Sequence, residues 1–329
     1  MKKFFYLIIV LTLISVGCCN SNNNNVPIIE DIHTDLRILT QTDTIYISCT
    51  AFDPDNDEIS YSWYLNNELI IQNKSDFLYA VIHLPDYYVL KVEVKDIKGA
   101  KSKKEKLIYI VNDYNTVYSN AVVDAQNPEE SDIINTLTAV TADNPNIVWE
   151  NTPGKSRVLV TTNTKYSTSY IPNIGNEMDL VWGETWVFFD YEAINIINNK
   201  ISNEKNMLTR LKQLLGLPPD SDNTYIVEMW VETDDLKRPS KDNEIYDSQS
   251  DLSYPVDADS SWINWFNNLV ATQYGENPYP WTQLGYTYDW GNPESKIGIS
   301  EFIIMKNSTV KIENVYTVEE YFNQRIKNK

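Results

Sequence analysis

Apolar and polar residues alternate along several segments between residues 26 and 112. The apolar residue recurs at every second position around residues 45–51, 59–65, 88–94 and 107–111. Successive side chains of a β-strand point to opposite faces, so a period of two is typical of strands with one buried face. Turn-forming Asp, Asn, Pro and Gly residues separate the runs. The pattern predicts about seven antiparallel strands that pack as a small all-β sandwich over residues 26–112.

Two stretches of this region resemble polycystic-kidney-disease (PKD) domains and related cadherin-like or immunoglobulin-like domains. The first is Ala51-Phe52-Asp53-Pro54-Asp55-Asn56-Asp57 followed by Tyr61-Ser62-Trp63, and the second is Tyr88-x-Leu90-x-Val92-x-Val94-x-Asp96-x-x-Gly99-Ala100. The resemblance covers residues 26–112. It implies an immunoglobulin-like sandwich that serves as a spacer or a binding accessory.

Three carboxylates in one turn form a candidate calcium site. Asp53, Asp55 and Asp57 alternate along the turn, and oxygens on alternate loop residues suit calcium. The run is not an EF-hand loop, because Glu58 stands where that loop needs glycine and Tyr64 where it needs a bidentate glutamate. The alternative is a turn in which an Asp side chain caps the turn's own backbone.

The first residues predict an export signal. Two lysines precede the uncharged 13-residue run 4–16, which is too short to cross a bilayer as a helix. The following Ser15-Val16-Gly17-Cys18 resembles the lipobox of bacterial lipoprotein precursors, which implies a signal peptide over residues 1–17 and lipidation of Cys18. Cys19 offers an alternative register. The chain is therefore expected in the bacterial cell envelope, held to a membrane by lipid and facing the periplasm or the exterior.

Composition restricts the partners further. Residues 18–25 are rich in Asn and have little apolar surface to bury, so they predict a flexible tether. The formal net charge is −19. An acidic surface repels phosphate backbones, so nucleic acid is not an expected partner.

Residues 113–329 carry mixed helical and strand patterns, which predict a second domain of the α+β class. The predicted helices are a segment after Pro128 with Ile133, Ile134, Leu137 and Val140 on one face, Asn203 to Leu215 with Gly216 as its C-terminal cap, a helix capped by Asp259, and Val318 to Ile326. The predicted strands are 225–231 and a hairpin of 297–305 with 309–315.

One aromatic stretch stands out in this second part. Trp281, Tyr286, Tyr288 and Trp290 lie among glycines and prolines within residues 274–293. Aromatic faces on a loop-rich ledge suit a sugar ring or an extended peptide, because stacking holds neutral ligands. The alternative is that the rings pack beneath an irregular loop.

Catalysis in this part would depend on carboxylates, tyrosines or lysines. The only histidines are His33 and His83, and the third cysteine is Cys49, so Cys/His zinc sites and disulfide frameworks are excluded. A pair of carboxylates across a cleft could hydrolyse a glycoside. The candidates are Glu184, Asp190, Glu228, Asp289, Glu294 and Glu301.

A second resemblance concerns the predicted hairpin. The run Gly298-Ile299-Ser300-Glu301-Phe302-Ile303-Ile304 resembles the closing hairpin of ADP-ribosyltransferases, and Ser167-Thr168-Ser169 resembles their Ser-Thr-Ser segment. The resemblance implies Glu301 as the catalytic acid, Ser167 in a ribose pocket, Arg157 as a cofactor-binding residue and NAD as cofactor.

Two hypotheses follow. In the first, a lipid-anchored, non-catalytic protein presents a recognition surface to a glycan or a protein. In the second, the same domain is an enzyme, either a glycan hydrolase or ADP-ribosyltransferase-like. Exposed rings of Trp281, Tyr286 and Trp290 in a row would favour binding, whereas Glu301 in a cleft beside Arg157 or a second acid would favour catalysis.

Overall fold

The computed structural model describes residues 24–197 and 203–327. These residues form a β-rich, multidomain fold of six α-helices and seventeen β-strands in five sheets. None of the helices in these ranges has the length and apolar character needed to cross a bilayer. The predicted leader, residues 1–17, lies outside the described residues, as do Cys18 and Cys19. Of the predicted tether, only Asn24 and Asn25 are described.

The first eight strands form two sheets. One sheet has the order β1-β3-β6, and the other has the order β2-β8-β7-β4-β5. All neighbours are antiparallel except β2 and β8, which are parallel. The strands are β1 (Ile28–Thr34), β2 (Ile38–Thr40), β3 (Thr44–Phe52), β4 (Ile59–Leu65), β5 (Glu68–Gln72), β6 (Asp76–Ala80), β7 (Asp86–Asp96) and β8 (Lys101–Val111).

These two sheets bury their apolar faces in one hydrophobic core. Ile45 and Ile47 of β3 are fully buried, as are Val92 and Val94 of β7, so the predicted alternation is confirmed. Trp63 lies at the centre of the core, where its indole Nε1 donates to the carbonyl of Lys74 over 2.9 Å. The described strands number eight rather than about seven, because the short β2 pairs in parallel with β8.

The later elements form the other three sheets, with strand orders β10-β17-β12-β9, β11-β16-β13 and β14-β15. The helices are α1 (Tyr114–Ala125), α2 (Ser167–Tyr170), α3 (Asp190–Ile197), α4 (Glu204–Leu214), α5 (Ser260–Gln273) and α6 (Val318–Lys327). The strands are β9 (Val158–Thr164), β10 (Glu177–Asp179), β11 (Thr185–Val187), β12 (Tyr225–Val231), β13 (Leu236–Lys237), β14 (Tyr286–Tyr288), β15 (Ile297–Ser300), β16 (Phe302–Ile304) and β17 (Thr309–Thr317).

Three of the predicted helices are confirmed, and their ends follow from capping residues. Asn203 accepts from the backbone N–H of Asn206 at the start of α4, and Gly216 follows the helix with φ of +64°. Asp259 accepts from Ser261 N over 2.6 Å at the start of α5. The terminal helix α6 begins at Val318, as predicted.

The helix predicted after Pro128 is wrong. Only the 3₁₀ turn Glu130–Asp132 forms there. Further along, Leu137 N donates to Ser248 O and Val140 N to Ile245 O, at 2.9 and 2.7 Å. The backbone therefore pairs with a distant loop instead of with its own preceding turn. Leu137 and Val140 are both buried by this pairing.

The predicted hairpin is also wrong, although its strands exist. The first half breaks at Glu301 into β15, which pairs with β14, and β16, which pairs with β11 and β13. β17 pairs instead with β10 and β12. The strands β15, β16 and β17 therefore belong to three different sheets. Glu301 lies at the break between two of these sheets and not within a hairpin.

Polar contacts join the first two sheets to the later elements. Buried Asp43 accepts from Lys205 Nζ at 2.9 Å and from the Tyr114 hydroxyl at 2.6 Å. Burial alone would raise the pKa of Asp43, but the hydrogen bonds from Tyr114 and its other donors outweigh it and lower that pKa. Arg37 donates to Asn292 over 2.8 Å nearby. The α4 helix is therefore held against the strands before residue 112.

Candidate functional site

A cavity of about 440 Å³ lies among the later elements. Its walls come from β9, from the segment 182–188 that contains β11, from the residues that follow α4, and from the segment 279–288. Glu301 lines it from the break between β15 and β16. Most of its side chains are aromatic rings, threonines or amides, and Glu184 and Glu301 are its two carboxylates.

Aromatic rings form the apolar walls. Trp186 and Trp281 meet edge to face with centroids 6.2 Å apart, and Phe266 supports Trp281 from behind at 5.0 Å. Nearer the mouth, Trp182 is 49% exposed and packs edge to face with Tyr170 at 5.6 Å. Edge-to-face packing fixes the rings in place and leaves ring faces free for contact with a ligand.

The pairing of β11 with β16 sets the order of three cavity side chains. Trp186 lies opposite Ile303 and Val187 opposite Phe302. Glu184 directly precedes β11 and Glu301 directly precedes β16. Because the two strands are antiparallel, the two carboxylates enter the cavity wall from opposite ends of this ladder, and Trp186 lies between them along the wall.

Two contacts fix the backbone around Glu301. Its N–H donates to the carbonyl of Gly285 over 2.9 Å. The residue before it, Ser300, donates from its N–H and its hydroxyl to the two carboxylate oxygens of Glu192, each over 3.0 Å. Glu192 lies on α3, so that helix holds the chain where Glu301 enters the cavity. Gly285 itself has φ of +75°, and a Cβ there would lie 2.5 Å from Arg238 Cγ.

The carboxyl of Glu301 is half-buried and has no hydrogen-bond partner among the described side chains and backbone. Removal from water raises its pKa from the ordinary 4.5 to about 8. The side chain is therefore mostly protonated at neutral pH. A protonated carboxyl can donate a hydrogen bond as well as accept one.

Glu184 has a different environment. Trp265 of α5 donates from its indole Nε1 to Glu184 Oε1 over 3.0 Å. Trp265 in turn stacks on Trp262 with ring centroids 4.5 Å apart. The hydrogen bond orients the Glu184 carboxylate at the wall of the cavity.

Three buried polar atoms of cavity residues have no protein partner among the described residues. They are the indole Nε1 of Trp281, the amide Oδ1 of Asn163 and the hydroxyl Oγ1 of Thr185. Buried polar atoms are nearly always hydrogen-bonded, to protein or to an occupant of the site. The first atom is a donor and the second an acceptor, so the cavity offers both kinds of hydrogen bond to a ligand.

A glycine allows the end of α4 to form part of the wall. A Cβ on Gly216 would lie 3.3 Å from the carbonyl oxygen of Tyr288 and 3.4 Å from Pro280 Cγ. Its φ of +64° is the left-handed conformation that side chains disfavour. The helix therefore ends close against β14, and Leu217 continues the cavity wall.

Of the four aromatic residues predicted for ligand contact, two line the cavity and two are buried outside it. Trp281 and Tyr288 line the cavity. Tyr286 is 1% exposed and Trp290 is 2% exposed, so no open row of these rings exists. Trp290 packs against α1, edge to face with Tyr118 at 6.2 Å. The expectation of an exposed ledge is thereby corrected, because α1 covers part of the stretch.

The three residues of the transferase hypothesis are not brought together. Glu301 lines the cavity, but Arg157 lies in a separate surface depression and donates to Glu150 and Glu177, each over 2.9 Å. Ser167 is buried at the start of α2 and is not among the cavity residues. With these positions the chain has no composite pocket for NAD built from Arg157, Ser167 and Glu301.

The remaining candidate carboxylates contact basic or phenolic groups. Asp289 forms two hydrogen bonds with Arg210, at 2.6 and 2.8 Å, and Glu294 pairs with Arg37 at 2.7 Å. Glu228 contacts Arg325, and Asp190 accepts from the Tyr321 hydroxyl over 2.9 Å. Among the six candidates, therefore, only Glu184 and Glu301 line the cavity.

The candidate calcium residues do converge. Carboxylate oxygens of Asp53, Asp55 and Asp57 lie within 4.8 Å of one another, a spacing that the ligand sphere of calcium permits. Asp53 Oδ1 also accepts from the N–H groups of Asp55 and Asp57, so the capped turn of the alternative hypothesis is present. Lys98 lies 2.8 Å from Asp57. The three carboxylates could hold calcium, which would compete with the Lys98 ammonium.

Several cavity residues were not singled out from the sequence. They are Tyr166, Tyr170, Trp182, Trp186 and Asn163. A signal existed for two of them, because Trp182-Gly183-Glu184-Thr185-Trp186 places two tryptophans around an acid beside a glycine. Nothing in the local pattern joins that run to residues 279–288, which approach it only in the folded chain.

No protein-family model matches the sequence, and no curated protein matches it. Solved structures similar to the chain include the PKD1 domain of Vibrio anguillarum Epp, which is 18% identical with a TM-score of 0.22 over 26% of this chain and 95% of that one. The PKD1 domain of the Vibrio cholerae metalloprotease PrtV is also 18% identical, with a TM-score of 0.22 over 26% and 98%. SGBP-B of a Bacteroides ovatus mixed-linkage glucan utilisation locus, in complex with a mixed-linkage heptasaccharide, is 12% identical with a TM-score of 0.22 over 64% and 45%. Similarity at this level leaves the ligand of this chain to be decided by its own cavity.

Proposed function

We propose that the chain is a lipid-anchored protein of the bacterial cell envelope that binds a glycan in the cavity around Trp186. The observation that carries this proposal is the combination of aromatic walls, unpartnered polar atoms and a volume of about 440 Å³ in one cavity. Sugar rings present apolar faces to aromatic side chains and hydroxyls to polar atoms, so they match both parts of such a wall.

Direct binding tests this proposal. Purified protein is screened on an array of plant, algal and bacterial oligosaccharides, and hits are measured by isothermal titration calorimetry. Trp186→Ala should weaken binding at least about tenfold, which is the scale expected for loss of a buried aromatic anchor. Tyr246→Ala is the matched control, because Tyr246 is exposed and lies outside the cavity. Equal binding by the two variants would contradict the proposal.

In this proposal residues 26–112 are an immunoglobulin-like spacer that follows a leader over residues 1–17 and a tether over residues 18–25. Lipid on Cys18, or on Cys19 in the alternative register, would hold the protein at a membrane that faces the periplasm or the exterior. Metabolic labelling with a fatty-acid analogue tests the anchor. Label should be lost from either Cys18→Ala or Cys19→Ala, and label on neither wild type nor variants would contradict it.

A second candidate function is hydrolysis of the bound glycan, favoured by the two carboxylates on either side of Trp186. Protonated Glu301 would give its proton to the glycosidic oxygen as the C–O bond breaks. Glu184 would take a proton from the water whose oxygen bonds to the anomeric carbon. An inverting reaction of this kind needs the two carboxyl groups about 6.5–9.5 Å apart, so that the water fits between the sugar and Glu184.

Product release distinguishes the two functions. Oligosaccharides found on the array are incubated with wild type and with Glu301→Gln, and new reducing ends are measured. Hydrolysis by wild type alone would establish the enzyme. Tight binding without any new reducing ends would leave the glycan-binding function and reject the hydrolase.

A further inference from the structure

We propose that the cavity selects uncharged sugar residues and excludes uronic acids and sulfated sugars. This inference rests on the proposed glycan-binding function and names the class of ligand. It is drawn from the charges that face the cavity, from the position of Glu301 and from two of the unpartnered polar atoms, Trp281 Nε1 and Asn163 Oδ1.

The charged side chains of the cavity have one sign. Glu184 and Glu301 are its only charged or acidic side chains, and Lys, Arg and His are absent from the described residues that line it. Lys165, whose ammonium lies 5.4 Å from the ring of the lining residue Tyr166, is paired with Asp222 at 3.2 Å. An anionic sugar would therefore meet the Glu184 carboxylate without a cation to balance its charge.

Glu301 adds a donor that suits a hydroxyl group. Because burial raises the pKa of its carboxyl to about 8, the group is mostly protonated at neutral pH and can donate to a sugar hydroxyl. An anionic group beside Glu301 would compete for space with the Glu301 carboxyl. The Glu184 carboxylate would also repel it. Ionisation of Glu301 would remove the donor and add a second negative charge to the wall.

Tyr170 and Tyr274 stay uncharged in the range where Glu301 titrates, whereas Glu192 titrates close to it. Burial raises the pKa of Tyr170 to about 12 and raises that of Tyr274, which interacts with Glu301, well above its usual range. Behind Glu301, burial raises the pKa of Glu192 to about 7 although Ser300 donates to both of its oxygens. The groups that face Glu301 across the cavity or pack behind it are Glu184, Tyr274, Tyr279, Tyr288 and Glu192.

Two of the unpartnered polar atoms also favour an uncharged sugar. Trp281 Nε1 donates and Asn163 Oδ1 accepts. A hydroxyl group can pair with either atom, since it donates and accepts. A carboxylate or a sulfate only accepts, so it would leave Asn163 Oδ1 unpaired and bring a second acceptor towards it.

The test compares each oligosaccharide with its own charged form. The array carries every sugar in a neutral form and in a form whose C6 hydroxymethyl groups are oxidised to carboxylates. Wild type should bind the neutral form at least about tenfold more tightly than the oxidised form. Equal or tighter binding of the oxidised form would overturn the inference while leaving glycan binding in place. Binding of neither form would overturn the proposed function, and the inference with it.

Charge variants identify the side chains responsible. Glu184→Gln should reduce the difference in affinity between the neutral and the oxidised oligosaccharide. Glu276→Gln is the matched control, because Glu276 is exposed and outside the cavity. With a pKa of about 8 for Glu301, neutral-sugar binding by wild type should fall about tenfold between pH 7 and pH 9, and binding by Glu301→Gln should stay level. A pH-independent wild type, or an equal effect of Glu276→Gln, would overturn the assignment.

Discussion

The indole Nε1 of Trp265 donates a hydrogen bond to Glu184 Oε1 over 3.0 Å. This contact joins helix α5 to the segment that carries Trp182 and Trp186. It orients the Glu184 carboxylate at the cavity wall, whereas Glu301 has no such donor among the described residues.

Trp265→Phe should release Glu184 without removing the ring that stacks on Trp262. The lost hydrogen bond contributes about 1 kcal/mol and the smaller ring also loses packing, so the free energy of unfolding should fall by about 1–3 kcal/mol. Affinity for the bound sugar should fall several-fold, because Glu184 no longer has one orientation. Calorimetric titration and urea unfolding measure the two quantities, and unchanged affinity would show that Glu184 is not oriented by Trp265.

Gly216→Ala should lower both stability and binding. The substitution forces a side chain into φ of +64° and places its Cβ 3.3 Å from Tyr288 O, at a cost of about 1 kcal/mol or more. Displacement of β14 would also narrow the cavity. Gly275→Ala is the control, because Gly275 is outside the left-handed region and its Cβ would only touch Thr272 O at 3.4 Å. The prediction fails if both variants unfold at the same urea concentration.

Glu192 acts on the cavity through Ser300. Glu192→Ala removes the acceptor for two hydrogen bonds and should cost about 2 kcal/mol of unfolding free energy. Because Glu301 follows Ser300 directly, the pH dependence of sugar binding should change as well. Glu192→Gln keeps an acceptor and should restore much of both properties. A loss of stability with an unaltered binding profile would indicate that Glu192 has only a structural role.

Stability itself should depend on pH through Glu301 and Glu192. Burial raises both pKa values in the folded chain, to about 8 and about 7, from an ordinary 4.5. Between about pH 4.5 and pH 8 the folded chain holds more protons than the unfolded chain. The free energy of unfolding should therefore decrease as pH rises through this range. Urea unfolding at pH 5, 6.5 and 8 should give a shallower decrease for Glu301→Gln, and parallel profiles would contradict the burial of this acid.

The parts of the fold that sequence predicts best are those set by local rules. Alternation predicted β3 and β7, and the C-terminal cap Gly216 marked the end of a helix predicted from Asn203 to Leu215, which is α4. Each depends on residues close together in the chain. Local rules give the wrong result for the segment after Pro128. The backbone N–H groups of Leu137 and Val140 donate to the loop at residues 245–248 and not to the preceding turn of a helix.

The cavity depends on contacts that no local pattern contains. Glu301 was recognised as a candidate from its motif, but the motif suggested a hairpin, and only the break between β15 and β16 places Glu301 in the wall of the cavity. The aromatic stretch was recognised too, yet Trp290 turns towards α1 while Trp281 turns into the cavity. Side chains of an irregular loop do not alternate between two faces with a fixed period. Contacts with residues far away in the sequence therefore determine whether each ring packs against α1 or lines the cavity.

The most direct test of the glycan site is a titration of the protein with neutral oligosaccharides, followed by the ¹H–¹⁵N resonances of the tryptophan indole groups. Trp281 Nε1 has no hydrogen-bond partner among the described residues, whereas Trp63 Nε1 is satisfied by Lys74 O far from the cavity. The resonances of Trp281 and Trp186, assigned by Trp→Phe variants, should shift with the sugar while that of Trp63 stays fixed. Saturation with a sugar that binds but leaves the Trp281 and Trp186 resonances in place would contradict the assignment of the cavity as the binding site.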